Sequence, residues 1–180
     1  TGMPHPGQHA MLPETAHDDD ARLDFIYALK EHVASDVARG NGALYEREVV
    51  PAFERRHGRS PADRHEVRGE MRGKNYWRMF GSLSRLYQEL KQDYGQVIVE
   101  RQSADLNARA RKYHNAPAGG SLRLNPGLPI PRYQTAADLH CMPGSYHTDR
   151  GDDDVWAGAV YDPGVYYFAM GALGPYNEDM

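Results

Sequence analysis

From the acidic triplet Asp18, Asp19, Asp20 onward, Leu23, Ile26, Tyr27, Lys30, Val33, Ala34 and Val37 recur at helical spacing. Negative charge is favoured at a helix N-terminus, so this pattern predicts a first helix, ended by Gly40. Leu44, Val49, Val50 and Phe53 predict a second helical stretch to about His57, kinked or restarted at Pro51 and closed by Gly58. Ser60-Pro61-Ala62-Asp63 has the form of a helix start, with a hydroxyl cap and proline at the first helical position, and leads a short third helix to about Met71. Tyr76, Trp77, Phe80, Leu83, Tyr87, Leu90 and Tyr94 then fall every three or four residues, and Val97, Ile98, Leu106, Ala110 and Tyr113 prolong the pattern. That is one long amphipathic helix with a possible break at Gly95, and its aromatic stripe reads as core before cofactor box.

After Tyr113 the chain turns to Gly, Pro and Asn. The runs Gln134 to His140, Val155 to Tyr161 and Val165 to Met170 are rich in β-branched and aromatic residues and punctuated by Pro143-Gly144, Gly151, Pro163-Gly164 and Gly171, which predicts two or three short strands. The expected fold is mainly α with a small β portion: an N-terminal bundle of three to four helices, one long, followed by a short C-terminal β-meander. Residues 1–17 read as a tag remnant (Thr1-Gly2 before Met3) and a proline-bearing flexible arm, 18–115 as the helical domain, and 116–180 as a Gly/Pro/Tyr-rich β-containing extension.

At 180 residues the chain is long enough for one domain with a core and short for two. No apolar run approaches the length of a membrane span, and a single cysteine, Cys141, allows no internal disulfide, so a soluble, cytoplasmic protein is expected. The net charge of −4 is uneven: residues 45–94 carry 11 Lys/Arg against 8 Asp/Glu, and residues 116–180 carry 3 against 8. Acids are interleaved throughout the basic middle, which lacks the one-sided stripe that a phosphate backbone calls for. Neither nucleic acid nor membrane is an expected partner.

The densest polar cluster is Asp138 to Asp149, with His140, Cys141, Tyr146 and His147. Two imidazoles and a carboxylate suit a divalent metal, and a thiol beside a histidine suits an activated nucleophile. Adjacent His140 and Cys141 would point to opposite faces of a strand, which argues against a working pair. Strand residues flanking a Pro-Gly turn are the first reading, substrate binding the second and metal the third. Gly171-Ala172-Leu173-Gly174 lacks the third glycine and the downstream acid of a dinucleotide loop. Asp152-Asp153-Asp154 reads as a solvated turn, and Ser145 has no G-x-S-x-G elbow.

The segments Pro51 to Arg68 (PAFERRHGRSPADRHEVR), Tyr76 to Arg85 (YWRMFGSLSR), Asp138 to Tyr146 (DLHCMPGSY), Ala157 to Gly171 (AGAVYDPGVYYFAMG) and Gly174 to Met180 (GPYNEDM) resemble the N-terminal half of bacterial class I S-adenosylmethionine-dependent methyltransferases of the ubiquinone/menaquinone-biosynthesis-like group. The resemblance covers about residues 50–180. It implies a helical cap or substrate-recognition segment ahead of a catalytic domain, with S-adenosylmethionine bound by the parent protein and not by this segment, which carries no acidic-x-Gly-x-Gly loop. No catalytic, cofactor-binding or metal residue is carried over. His140, Tyr146, His147, Tyr161, Tyr166 and Tyr167 are the candidate substrate-binding residues, the tyrosines as walls of an apolar site for a small methyl acceptor. The expected partners are its own catalytic domain or a second copy of the chain, giving an oligomer. Two other readings stay open: a stand-alone helical dimerisation or interaction module, and a small metal-dependent enzyme centred on His140, His147 and Asp149.

Overall fold

A computed structural model describes residues 5–116, 120–121, 123–136, 138, 140–142, 150–151 and 154–178. The chain divides into two compact units, one formed by Thr1–Phe25 with Gln88–Met180 and the other by Ile26–Tyr87. The α-helices are α1 (His17–His32), α2 (Ala38–Leu44), α3 (Val50–His57), α4 (Arg64–Met71), α5 (Asn75–His114), α6 (Arg132–Thr135) and α7 (Trp156–Ala169). The unit boundaries fall within α1 and α5.

Between α1 and α3 the backbone never leaves helical geometry, because two π-helical turns, Val33–Val37 and Tyr45–Val49, join α1 to α2 and α2 to α3. Gly40 was expected to stop the first helix and does not. A Cβ there would overlap the ring and hydroxyl of Tyr76, so the glycine makes room for an aromatic side chain instead of ending a helix. Pro51 follows the second widened turn, where a missing backbone donor is more easily absorbed, and the helix continues. Gly58, in the left-handed region at φ 69°, is the true stop. Ser60 was expected to cap the third helix, but the cap is Asp63, whose Oδ1 accepts from the N–H groups of His65 and Glu66. Ser60 turns away to donate to Glu54. Arg59 grips Glu66 with both guanidinium nitrogens, at 2.8 and 2.7 Å, and the Ala62 N–H adds a third bond, holding the Glu66 carboxyl down at about 2.

In the other unit, α5 is the scaffold. It runs through Gly95 without a break, and the glycine marks a close crossing, since a Cβ would stand 3.4 Å from Val160 of α7. Asn107 accepts from the Val155 N–H at one end of the contact, and Lys91 lies over the Phe168 ring at the other, so α7 runs antiparallel to α5. Val99, Leu106, Met142, Trp156, Ala159 and Val160 form the core between them.

Among the described residues there is no strand, which corrects the expected C-terminal β-meander. Val155 to Tyr161 and Val165 to Met170, read as strands, are continuous helix almost throughout, and the described residues of Gln134 to His140 include the end of α6 and no strand. Trp156, Ala159, Val160 and Tyr167 are buried while Gly158, Tyr161 and Phe168 are exposed, an order that follows the helical period and not alternation. Short apolar aromatic runs do not discriminate strand from helix, and here packing against α5 decides. Pro163-Gly164, read as a turn, lies inside α7, where Gly164 is buried beside the Lys91 side chain.

The proline-bearing segment before α1 is laid against α5 and α7. The Gly7 N–H donates to the Pro175 carbonyl, Arg109 to the Ala10 carbonyl, and Glu14 and Gln102 exchange two 2.8 Å hydrogen bonds. Asp19, with only 2% of its side chain exposed, bonds Arg101 at 2.5 Å and the Ala16 N–H at 2.9 Å. The Arg101 bond is the main reason that its carboxyl sits below the ordinary range, against the opposing cost of burial.

Gly40→Ala is expected to cost about 1–3 kcal/mol by overpacking against Tyr76. Gly42→Ala, whose Cβ would meet nothing within 4 Å, should instead stabilise by about 0.5–1 kcal/mol. Urea unfolding of the two variants checks the contrast. Because the Asp19 carboxyl is depressed in the fold, its contribution is present above the unfolded value of about 3.9 and is lost as pH falls through the lower folded value. Asp19→Asn should therefore cost about 1–2 kcal/mol at pH 7, with the gap to the parent narrowing below about pH 4.

Candidate functional site

Among the described residues, one of those singled out in the sequence for binding, Tyr167, reaches a cavity of ligand size. Tyr167, on α7, borders a space of about 490 Å³ in the unit built from Thr1–Phe25 and Gln88–Met180. The arm supplies one wall through Leu12, Pro13 and Glu14, α1 supplies Asp20 and Leu23, and α5 supplies Gly95, Ile98 and Val99. The volume lies within the range of small-molecule sites.

The cavity has an apolar floor and an acidic rim. Leu12, Leu23, Ile98, Val99 and Pro163 offer only carbon surface, whereas Asp20 and Glu14 bring carboxylates and His5 brings the one imidazole. Burial pushes the Tyr167 phenol above its usual range, and the carboxylates of Asp20 and Asp24 add to the effect by disfavouring a phenolate beside them. The neutral phenol that these effects favour can both donate and accept a hydrogen bond. An apolar body carrying a hydroxyl or an amine complements such a site, since it takes the phenol's hydrogen bond or the carboxylates' charge; an anion meets like charge.

The other candidates are distributed differently. Tyr166 packs edge-on to Tyr167, with ring centroids 5.6 Å apart, and its hydroxyl would stand 3.2 Å from a Cβ at Gly171, so it is part of the local packing. Tyr161 is exposed on the outer face of α7 and does not line the cavity. His140 sits in a turn and not in a strand: its N–H donates to Asp138, and its carbonyl accepts from Gln88 at 2.8 Å and Gln92 at 3.2 Å. Tyr146 and His147 lie outside the described residues, as do Ser145 and Asp149. Among the described residues no group of three or more His, Cys, Asp or Glu side chains is arranged to hold a metal. Asp154, of the acidic run, accepts from the N–H groups of Arg150, Gly151 and Trp156 and so organises the entry to α7.

Reading the sequence missed Asp20 and the arm. Asp20 was assigned to helix-terminal charge, which it also supplies, and three prolines in the arm gave no apolar periodicity from which to infer that Leu12 and Pro13 are buried.

No family model, curated protein or solved structure matches the chain. None of these comparisons supports the methyltransferase resemblance. The residues nearest to a glycine loop do not suit the methyl donor. Gly171 and Gly174, at φ 71° and 80°, follow the end of a helix and not a strand, and the space beside each is filled by Tyr166 and Glu178 of this chain.

Free tyrosine ionises near 10, and a raised folded value means that the stability linked to Tyr167 is intact below about pH 10 and is lost as pH rises further. Ultraviolet titration should show tyrosines ionising above the usual range, Tyr87 and Tyr167 among them, and Tyr167→Phe should remove one late step.

Proposed function

We propose that this chain is the substrate-recognising helical segment of an S-adenosylmethionine-dependent methyltransferase, holding a small acceptor in the Tyr167 cavity while the donor is bound by a catalytic domain of the parent protein. The observation that carries the reading is the cavity itself, a 490 Å³ space with an apolar floor and a protonated phenol beside Asp20. The quoted segments supply the methyltransferase part of the reading; the cavity supports the recognition part. The acceptor class that follows from the lining is an aromatic or aliphatic molecule bearing a hydroxyl or amine. Tyr167 orients it through a hydrogen bond, Asp20 favours the amine, and Leu23 with Ile98 excludes water from its apolar body.

Calorimetric titration of the chain with tyramine, phenol and benzoate tests this reading. Tyramine should bind in the micromolar to millimolar range expected of a fragment, roughly 4–8 kcal/mol, and benzoate should not bind measurably. Tyr167→Phe should weaken tyramine and phenol by about fivefold, the worth of one hydrogen bond, and Asp20→Asn should weaken tyramine alone. Benzoate binding as well as tyramine, or tyramine affinity indifferent to both substitutions, would remove the cavity from any role in recognition.

A further inference from the structure

The unit formed by Ile26–Tyr87 carries a charge opposite in sign to that of the chain, twelve Lys/Arg against eight Asp/Glu, and most of its acids are already engaged. Asp36 pairs with Arg39, Glu48 with Lys74, Glu66 with Arg59 and Glu70 with Arg56, while Asp63 caps α4. What remains is arginine. Arg64, Arg68 and Arg72 recur every four residues along α4 and its C-terminal end, so they share a face at intervals of about 6 Å. Among the described residues none of the three has an acidic partner at salt-bridge distance.

That face borders a groove of about 740 Å³, and two aromatic side chains add to it. Trp77 and Tyr45 are half-buried and contribute aromatic surface. Gly42 adds no side chain that would close the space.

We propose that this groove binds a phosphate-bearing small molecule with a flat ring, its phosphate oxygens on Arg64, Arg68 and Arg72 and its ring against Trp77. Guanidinium groups pair with phosphate in a planar, two-pronged geometry and stack on aromatic faces. Three unpaired arginines exceed what one carboxylate can satisfy, whereas a phosphate brings three oxygens and nearly two charges at neutral pH. The arginine row spans about 12 Å, enough for a short phosphate chain and short for the backbone track of a bound strand, whose sites run to four or more nucleotides. The ligand chemistry is opposite to that of the Tyr167 cavity, and the site lies in the other unit, so the two readings stand or fall separately.

The test is calorimetry and tryptophan fluorescence on the full chain, in about 50 mM salt so that exposed arginines are not screened out. The probes are ADP, adenosine, inorganic pyrophosphate and a twelve-residue oligothymidylate. ADP is expected to bind with a dissociation constant below about 100 micromolar and to change tryptophan emission. Adenosine and pyrophosphate should each bind at least about tenfold more weakly, since each keeps half of the contacts. Arg68→Gln and Arg72→Gln should each weaken ADP by about fivefold to tenfold, and Arg68→Lys should restore little because the two-pronged geometry is lost. Arg55→Gln, with the same change of charge at an exposed position outside the groove, should leave ADP affinity unchanged. The proposal fails if ADP binds no tighter than about 1 millimolar, or if Arg55→Gln weakens it as much as Arg68→Gln. It also fails if oligothymidylate binds more tightly than ADP and competes with it, which would make the groove part of a nucleic-acid track.

Discussion

The crossing of α7 over α5 is the constraint on which the larger unit depends. An isolated helix as long as α5 has no reason to bury one stripe of residues unless another element covers it, and α7 supplies that cover with Trp156, Ala159 and Val160 against Val99 and Leu106. The approach is set by the missing side chain at Gly95, which lets Val160 come close. Everything that follows is hung on this pair: Met142 reaches the same core from the loop beyond His140, and the His140 carbonyl is held to α5 by Gln88 and Gln92.

Polar contacts then fix the arm and α1 to the frame. Asp19 to Arg101 and Arg22 over the Tyr94 ring place α1 antiparallel to α5, and the paired bonds between Glu14 and Gln102 align the arm with the same helix. The cavity at Tyr167 is a consequence. An arm of prolines cannot form a helix that packs along α5, so it spans the gap between α1, α5 and α7 and leaves a hollow beneath it.

Charge divides the chemistry between the units. In the larger unit the surplus is acidic, and at the cavity it appears as Asp20 and Glu14 beside a phenol that burial keeps protonated. In the smaller one, acids are consumed by ion pairs on one side of α4, and arginines are left on the other. Helical periodicity produces this sorting directly: Glu66 and Glu70 share one spacing of four, and Arg64, Arg68 and Arg72 share another two residues out of phase.

Sequence alone determined the long helix, because an apolar residue every third or fourth position from Tyr76 to Tyr94 is the spacing of one helical face. It also determined the helix starting at the acidic triplet and the stop at Gly58, where local charge and a left-handed backbone suffice. Local signals failed wherever a residue's role is set by a distant neighbour. Gly40 and Gly95 look like breaks in the chain and are close approaches to Tyr76 and Val160, while Gly164 lies inside an unbroken helix. The aromatic, β-branched stretch of α7 looks like strands because such residues fit a pleated surface equally well; only the face presented by α5 selects the helical arrangement. Tyr167 could be singled out as one aromatic candidate among several, whereas its cavity could not, since the hollow exists only where the arm, α1, α5 and α7 meet, and no spacing within any one of them encodes that meeting.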